Sequence, residues 1–167
     1  DHQLQIQGQI KEKGQLDHHG QVWANYQLLS PLFPEITFDG GVITGALQFL
    51  GSLEEPIVQG ELRIEAGSLF VPHIPLHVEA ITGELLVTEQ GILFQEWQGK
   101  VNDGQFQGGG QLTLTGWRPD QWNLWTAIQG GFYQQDWPGL TLDLLVDGQL
   151  TLQGEFAEPL LEGRLWS

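Results

Sequence analysis

The residues in this chain whose types could do chemistry are scattered and form no recognised motif. His73, His77 and Glu79 share one parity, so an extended segment would place them on one side as a candidate metal-binding set. No further acidic partner stands at helical or ligand-loop spacing to complete it. His18-His19 reads as a solvated turn. Asp103, Asp143 and Asp147 suggest calcium by type, but neither an EF-hand loop nor a glycine-aspartate nonapeptide array accompanies them. There is no Gly-x-Ser-x-Gly, no phosphate loop, no His-Glu-x-x-His and no cysteine. Carboxylates are so numerous that no pair stands out for glycoside chemistry. The expectation is a protein that is not an enzyme and holds no metal or cofactor. Seven Trp residues are the remaining candidates, for stacking on sugars or for a membrane-facing rim; packing within or at the edge of the fold is the plainer expectation for most.

Charge narrows the partners. Six Lys and Arg stand against 21 Asp and Glu, a net charge of −15 over 167 residues. Phosphate binding needs a basic surface, so nucleic acid is excluded as a partner, and anionic headgroups are poor docking sites. No run approaches the 18 apolar residues that a spanning helix requires. A start at Asp1 without any Met reads as an excised piece or a processed product.

The elements that would position any site are organised by a repeat. Ile43-Thr-Gly45-Ala-Leu47 leads through Gly51 and Glu55-Pro56 to Gly60-Glu-Leu62. Val146-Asp-Gly148-Gln-Leu150 leads through Gly154 and Glu158-Pro159 to Gly163-Arg-Leu165, each residue 103 positions after its counterpart. Gly110-Gln-Leu112-Thr-Leu-Thr-Gly116 is a partial third echo. The unit reads as a strand, a proline corner and a second strand entered through glycine.

Period-two alternation runs through most of the chain. Leu4, Ile6 and Ile10 alternate with Gln. Ile43, Leu47 and Phe49 share a face, as do Val58, Leu62 and Ile64. Asp39-Gly40-Gly41 and Ala66-Gly67-Ser68 read as turns. Phe70, Ile74, Leu76 and Val78 share one parity. Ile81, Leu85 and Val87 form the next strand, whereas Ile92 to Trp97 has no assignable inner face. Gly108-Gly-Gly110 marks a bulge or bend before Leu112 and Leu114. Trp117 to Trp137 is aromatic and turn-rich, with Trp122, Leu124 and Ile128 in one parity. Leu140, Leu142, Leu144, Val146, Leu150, Leu152 and Phe156 make the longest regular run. Asp147-Gly148 falls inside it without the parity flip of a two-residue hairpin. Either one strand runs through, reaching roughly 55 Å, or the loop has an odd count.

No window has 3.6-residue periodicity, so the chain is all-β and has no helix to cover an apolar sheet face. A second sheet or a closed barrel is one solution. The repeat favours another, a sheet that grows along one axis and curls into a trough lined by Leu, Val, Ile and Phe. Buried methylenes contribute about 0.8 kcal/mol each, so acyl chains would bind such a trough without a polar handle.

Taken together, residues 41–167 resemble the TamB family, within the AsmA-like group of bacterial envelope proteins. The resemblance rests on the two repeat copies, on Gly67-Ser-Leu69, and on Ile81-Thr-Gly83-Glu-Leu85 continuing to Gly109-Gly-Gln-Leu112-Thr-Leu-Thr-Gly116. It implies that residues 1–167 are a single segment of an elongated, curled antiparallel sheet, an open β-taco groove with an apolar interior. It also implies a larger protein in the periplasm of a diderm bacterium, anchored in the inner membrane. That family is similar to the bridge-like lipid transfer proteins. It is implicated in phospholipid transport between the membranes and in outer-membrane protein assembly with an Omp85-type partner, TamA. The expected occupants are phospholipid acyl chains on Leu47, Phe49, Val58, Leu62, Ile64, Leu85, Val87, Leu112, Leu114 and Leu124, and on the run from Leu140 to Phe156. Two other readings remain: a chaperone-like module that accepts strands of outer-membrane proteins, and a carbohydrate-binding β-sandwich that uses Trp122 or Trp125.

Overall fold

The computed structural model describes residues 3–11, 15–25, 27, 36–52, 55–71, 76–116, 118–137 and 140–166. Eleven strands form one antiparallel sheet: β1 (Gln3–Lys11), β2 (Gln15–Asn25), β3 (Thr37–Phe38), β4 (Val42–Ser52), β5 (Pro56–Val71), β6 (Leu76–Thr88), β7 (Gly91–Val101), β8 (Gly104–Thr115), β9 (Arg118–Trp137), β10 (Leu140–Glu155) and β11 (Leu160–Trp166). Strand order follows chain order, except that short β3 continues the line of β4 along β5. Among the described residues β1 pairs only with β2 and β11 only with β10, so the sheet is open, elongated and curled.

The repeat is structural as well as sequential. In β4–β5, Gly45 pairs with Leu62, Leu47 with Gly60 and Phe49 with Val58. In β10–β11, Gly148 pairs with Leu165, Leu150 with Gly163 and Leu152 with Leu161. Both copies therefore hold the same register.

Burial is concentrated at the end of the sheet that carries β3. Phe38, Ile43, Ile64 and Ile81 form a core, with Ile64 and Ile81 each only 1% exposed. Leu69, Val78, Trp97 and Phe106 pack against it. Glycine opposite a large ring makes this possible. The Trp97 ring lies on Gly83, and the Phe106 ring on Gly99, where a Cβ would come within 2.5 and 2.6 Å.

Bulges account for several of the places where period-two reading fails. Ala66-Gly67-Ser68 does not reverse the chain. It is a bulge inside β5, with Ala66 at φ 52° and a matching Ala80 at φ 52° in β6. Beyond it the hairpin pairs Val71 with Leu76, an odd residue with an even one, so Phe70 pairs with His77, whereas Val78 pairs with Leu69. Phe70 is thus on the other face from Val78. Asp39-Gly40-Gly41 is likewise a kink, because β3 and β4 run the same way along β5. The missing inner face of Ile92–Trp97 has the same origin. Gln95 and Glu96, the latter at φ 50°, stand opposite Gly109 alone and return Trp97 to the face of Phe94. Residues 118–137 are one 20-residue strand and not a turn-rich segment. Asp147-Gly148 lies inside β10, where Gln129 and Gly130 of β9 bulge opposite Asp147 and Gly130 N–H donates to Asp147 Oδ1 at 2.7 Å.

Candidate functional site: an apolar face

Cross-strand partners share a face of the sheet, so pairings can be followed from strand to strand. One row starts at Val22 and passes Gly45, Leu62, Leu85, Phe94, Gly110, Leu124 and Leu152 to Leu161. A neighbouring row starts at Gly20 and passes Leu47, Gly60, Val87, Ile92, Leu112 and Trp122 to Gly154. Every member is apolar or glycine. The rows run across the strands, along the direction in which the sheet grows. From β2 to β11 that is roughly 38 Å at about 4.8 Å per strand.

Away from the core these side chains are only half-covered. Leu47, Leu62, Leu85, Val87, Leu124 and Leu152 are all intermediate in burial, and Leu161 is exposed. Leu112 and Trp122 are buried. Phe49, Val58, Leu114, Val146, Leu150 and Phe156 are half-buried. Register puts Phe49 and Val58 opposite one another and Leu150 opposite Thr126. Leu140, Leu142 and Leu144 belong to β10 by backbone pairing, but their side chains lie outside the described residues.

Curvature on this face shows in its aromatic contacts. Trp97 meets Phe94 edge-on at 5.2 Å, Phe94 meets Trp122 at 6.4 Å, and Trp122 stacks on Phe156 at 5.4 Å. Phe94 and Trp122 sit two strands apart, a spacing of about 10 Å in the sheet. Gly110 of β8, the partner of Phe94, has φ 135° and lies so close to β9 that a Cβ would meet the Asn123 carbonyl oxygen. Ile92, Phe94, Trp97 and Phe106 were not among the sequence-expected lining residues. The signal for them was the facing glycines, Gly83, Gly99 and Gly110. Trp97 Nε1 is buried there without a hydrogen-bond partner.

The opposite face is mainly polar. Gln59 Nε2 donates to Gln48 Oε1 at 3.1 Å, and Arg63 donates to Glu84 Oε1 at 2.6 Å. The hydrogen bond and charge of Glu84 raise the Arg63 pKa above its ordinary value. Two shallow depressions lie on this side. One, of about 860 Å³, is lined by His19, Gln48, Gln59, Arg63, Glu84 and Gln95 among others. The second, of about 320 Å³, is lined by Thr82, Gln98, Lys100, Gln105, Gln107 and Gln129 among others.

The candidate chemical residues do not assemble. His73 lies outside the described residues, and His77 and Glu79 are exposed on β6. Among the described residues no three His, Asp or Glu side chains come together as a metal site. His18 and His19 stand inside β2 and not in a turn, with His19 Nε2 3.9 Å from Asp17 Oδ1. Asp103 is in a turn, and Asp147 is held by Gly130. Trp122 is 9% exposed and Trp125 is 49% exposed. Their parity puts them on opposite faces of β9, so the two do not form one sugar-stacking platform. No protein-family model matches the chain, and neither a curated protein nor a solved structure does.

Proposed function

We propose that this chain is a groove segment that shields phospholipid acyl chains and conducts them between the inner and outer membranes of a diderm bacterium. The observation that carries this reading is the pair of continuous apolar rows, half-open to their surroundings and free of any charged residue. An acyl chain needs continuity of apolar contact along its length, and the rows offer it perpendicular to the strands. No catalytic group is required, because moving along the rows exchanges one set of methylene contacts for an equivalent one. The resemblance to TamB-like proteins supports the same function and the periplasmic setting, with an Omp85-type outer-membrane protein as partner.

The test uses a photo-crosslinking residue in the full protein, in cells, at Leu124 and separately at Asn123. These neighbours in β9 face opposite ways. Lipid adducts at Leu124 and none at Asn123 are expected. No lipid at Leu124, or equal labelling at both positions, overturns the proposal. A charge at Leu150 should impair transport more than Leu150→Ala, since a buried carboxylate interrupts the path whereas alanine only narrows its contacts.

A second reading, acceptance of outer-membrane protein strands, is favoured by one observation. Among the described residues β11 pairs only with β10 and is exposed along its whole length, the kind of strand that accepts another by addition. Protein adducts at β11, in place of lipid adducts at Leu124, would support it.

A further inference from the structure

We propose that the polar face of the sheet carries a saccharide site, formed by Trp125 and the amide-lined depression beside it, for a neutral β-1,4-linked oligosaccharide. Trp125 lies in β9, with β8 on one side and β10 on the other. Its 49% exposure is therefore a property of the interior of the sheet and of no edge. It pairs with Gly109 and Thr151, two residues too small to cover an indole. The ring rests over Gly109, where a Cβ would stand 3.4 Å from Nε1. A large ring left open on the polar face adds nothing to the core on the other face. It suits a ligand with an apolar flank and a polar rim.

The register surrounds this ring with amides. β8 and β9 pair without a bulge from Gln105–Gln129 to Gln111–Asn123, so all four of these polar residues share the face of Trp125. The depression of about 320 Å³ opens over Ala127, two residues from Trp125 and roughly 7 Å along the strand. Gln98, Gln105, Gln107 and Gln129 line it, and all four are exposed. Each carboxamide offers two N–H donors and a carbonyl acceptor. A sugar hydroxyl both donates and accepts, so a row of carboxamides matches a row of hydroxyls.

Charge selects among sugars. Among the described residues Lys100 is the only charged side chain lining the depression, and in register it stands opposite Glu79. An anionic sugar would meet this nearly neutral lining in a chain of net charge −15. A neutral one meets no such repulsion. An equatorially substituted β-linked pyranose has C–H groups on its flat side for Trp125 and hydroxyls around its rim for the glutamines. The site lies on the face opposite the apolar rows and does not depend on what occupies them.

Calorimetric titration of the full protein with chitotetraose and with cellotetraose, both neutral and β-1,4-linked, tests the site. Saturable binding of at least one is expected. Trp125→Ala should weaken it about tenfold, and Trp125→Phe should retain part of it. Gln107→Ala and Gln129→Ala should each weaken it about fivefold. Their exposed side chains keep the test independent of any effect of Trp125 on folding. Trp23→Ala removes another exposed Trp from the same face and should leave binding unchanged. Binding of neither sugar, wild-type affinity in Trp125→Ala, or an equal loss in Trp23→Ala would each overturn the proposal. Tighter binding of tetragalacturonate than of either neutral sugar would also overturn it.

Discussion

The two copies of the repeat share sequence and register yet differ in their surroundings. Among the described residues β5 is flanked by β4 and β6, whereas β11 pairs with β10 alone. Leu62 is half-buried; its counterpart Leu165 is 63% exposed. Gly60 has φ 153° and packs against the Ala46 carbonyl, where a Cβ would approach within 2.1 Å. Its counterpart Gly163 faces the Leu150 side chain, with Cδ2 at 2.3 Å from a Cβ and no left-handed backbone. Sequence thus sets which residues pair, and neighbours set how much energy the pairing holds. The same glycine serves a strained close approach in one copy and makes room for a leucine in the other.

Substitutions that grade this contrast should scale accordingly. Ile64→Ala should have the largest effect, about 3–4 kcal/mol, because it empties a fully buried site in the core beside the first copy. Urea unfolding measures it, and a loss under about 1 kcal/mol would mean that the core does not anchor the sheet. Gly60→Ala should cost about 3 kcal/mol and Gly163→Ala about 1, since a backbone carbonyl cannot yield and a leucine tip can. Equal costs in the same denaturation series would remove the distinction between the copies. Leu62→Ala should cost about 1.5 kcal/mol, while Leu165→Ala at the open edge should stay within about 0.5. A larger effect at Leu165, if it depends on protein concentration, would indicate that the edge is covered in solution. The smallest effect belongs to Arg63→Ala, with no resolvable loss of stability, because its bond to Glu84 is exposed on both sides and screened by solvent. Thermal melts at low and high salt should differ little between this variant and wild type.

Strand identity and face were legible wherever alternation ran unbroken. Leu47, Leu62, Leu85, Leu112, Leu124 and Leu152 all fall on one face, as parity within each strand has it, and Leu140 to Glu155, left open between one strand and an odd-count loop, is one strand. What escaped was set by single residues at positive φ. Ala66, Ala80 and Glu96 each shift parity by one, and none belongs to a residue type that advertises a left-handed backbone. That is why Ile92–Trp97 had no assignable face; Phe70 was placed with Val78 for another reason, because the hairpin between them pairs Val71 with Leu76, an odd residue with an even one. β9 was hidden differently, because Pro119 and Gly130-Gly131 read as breaks, whereas in the sheet they sit at register shifts. The aromatic part of the apolar face was legible only in retrospect. A ring and the glycine it covers lie on neighbouring strands, and their spacing in the chain depends on where the bulges fall.

Six strand-to-strand steps separate β4 from β10, so both copies run the same way and present the same face. An even step is a necessity in a meander. Lengths of this sheet are therefore quantised in hairpins, each adding about 10 Å along the growth direction. Insertion or loss of a whole hairpin leaves every later residue on its face and in its direction. Loss of a single strand would reverse all that follow. A family of such sheets should differ in span by whole hairpins, like a ruler cut only at its marks.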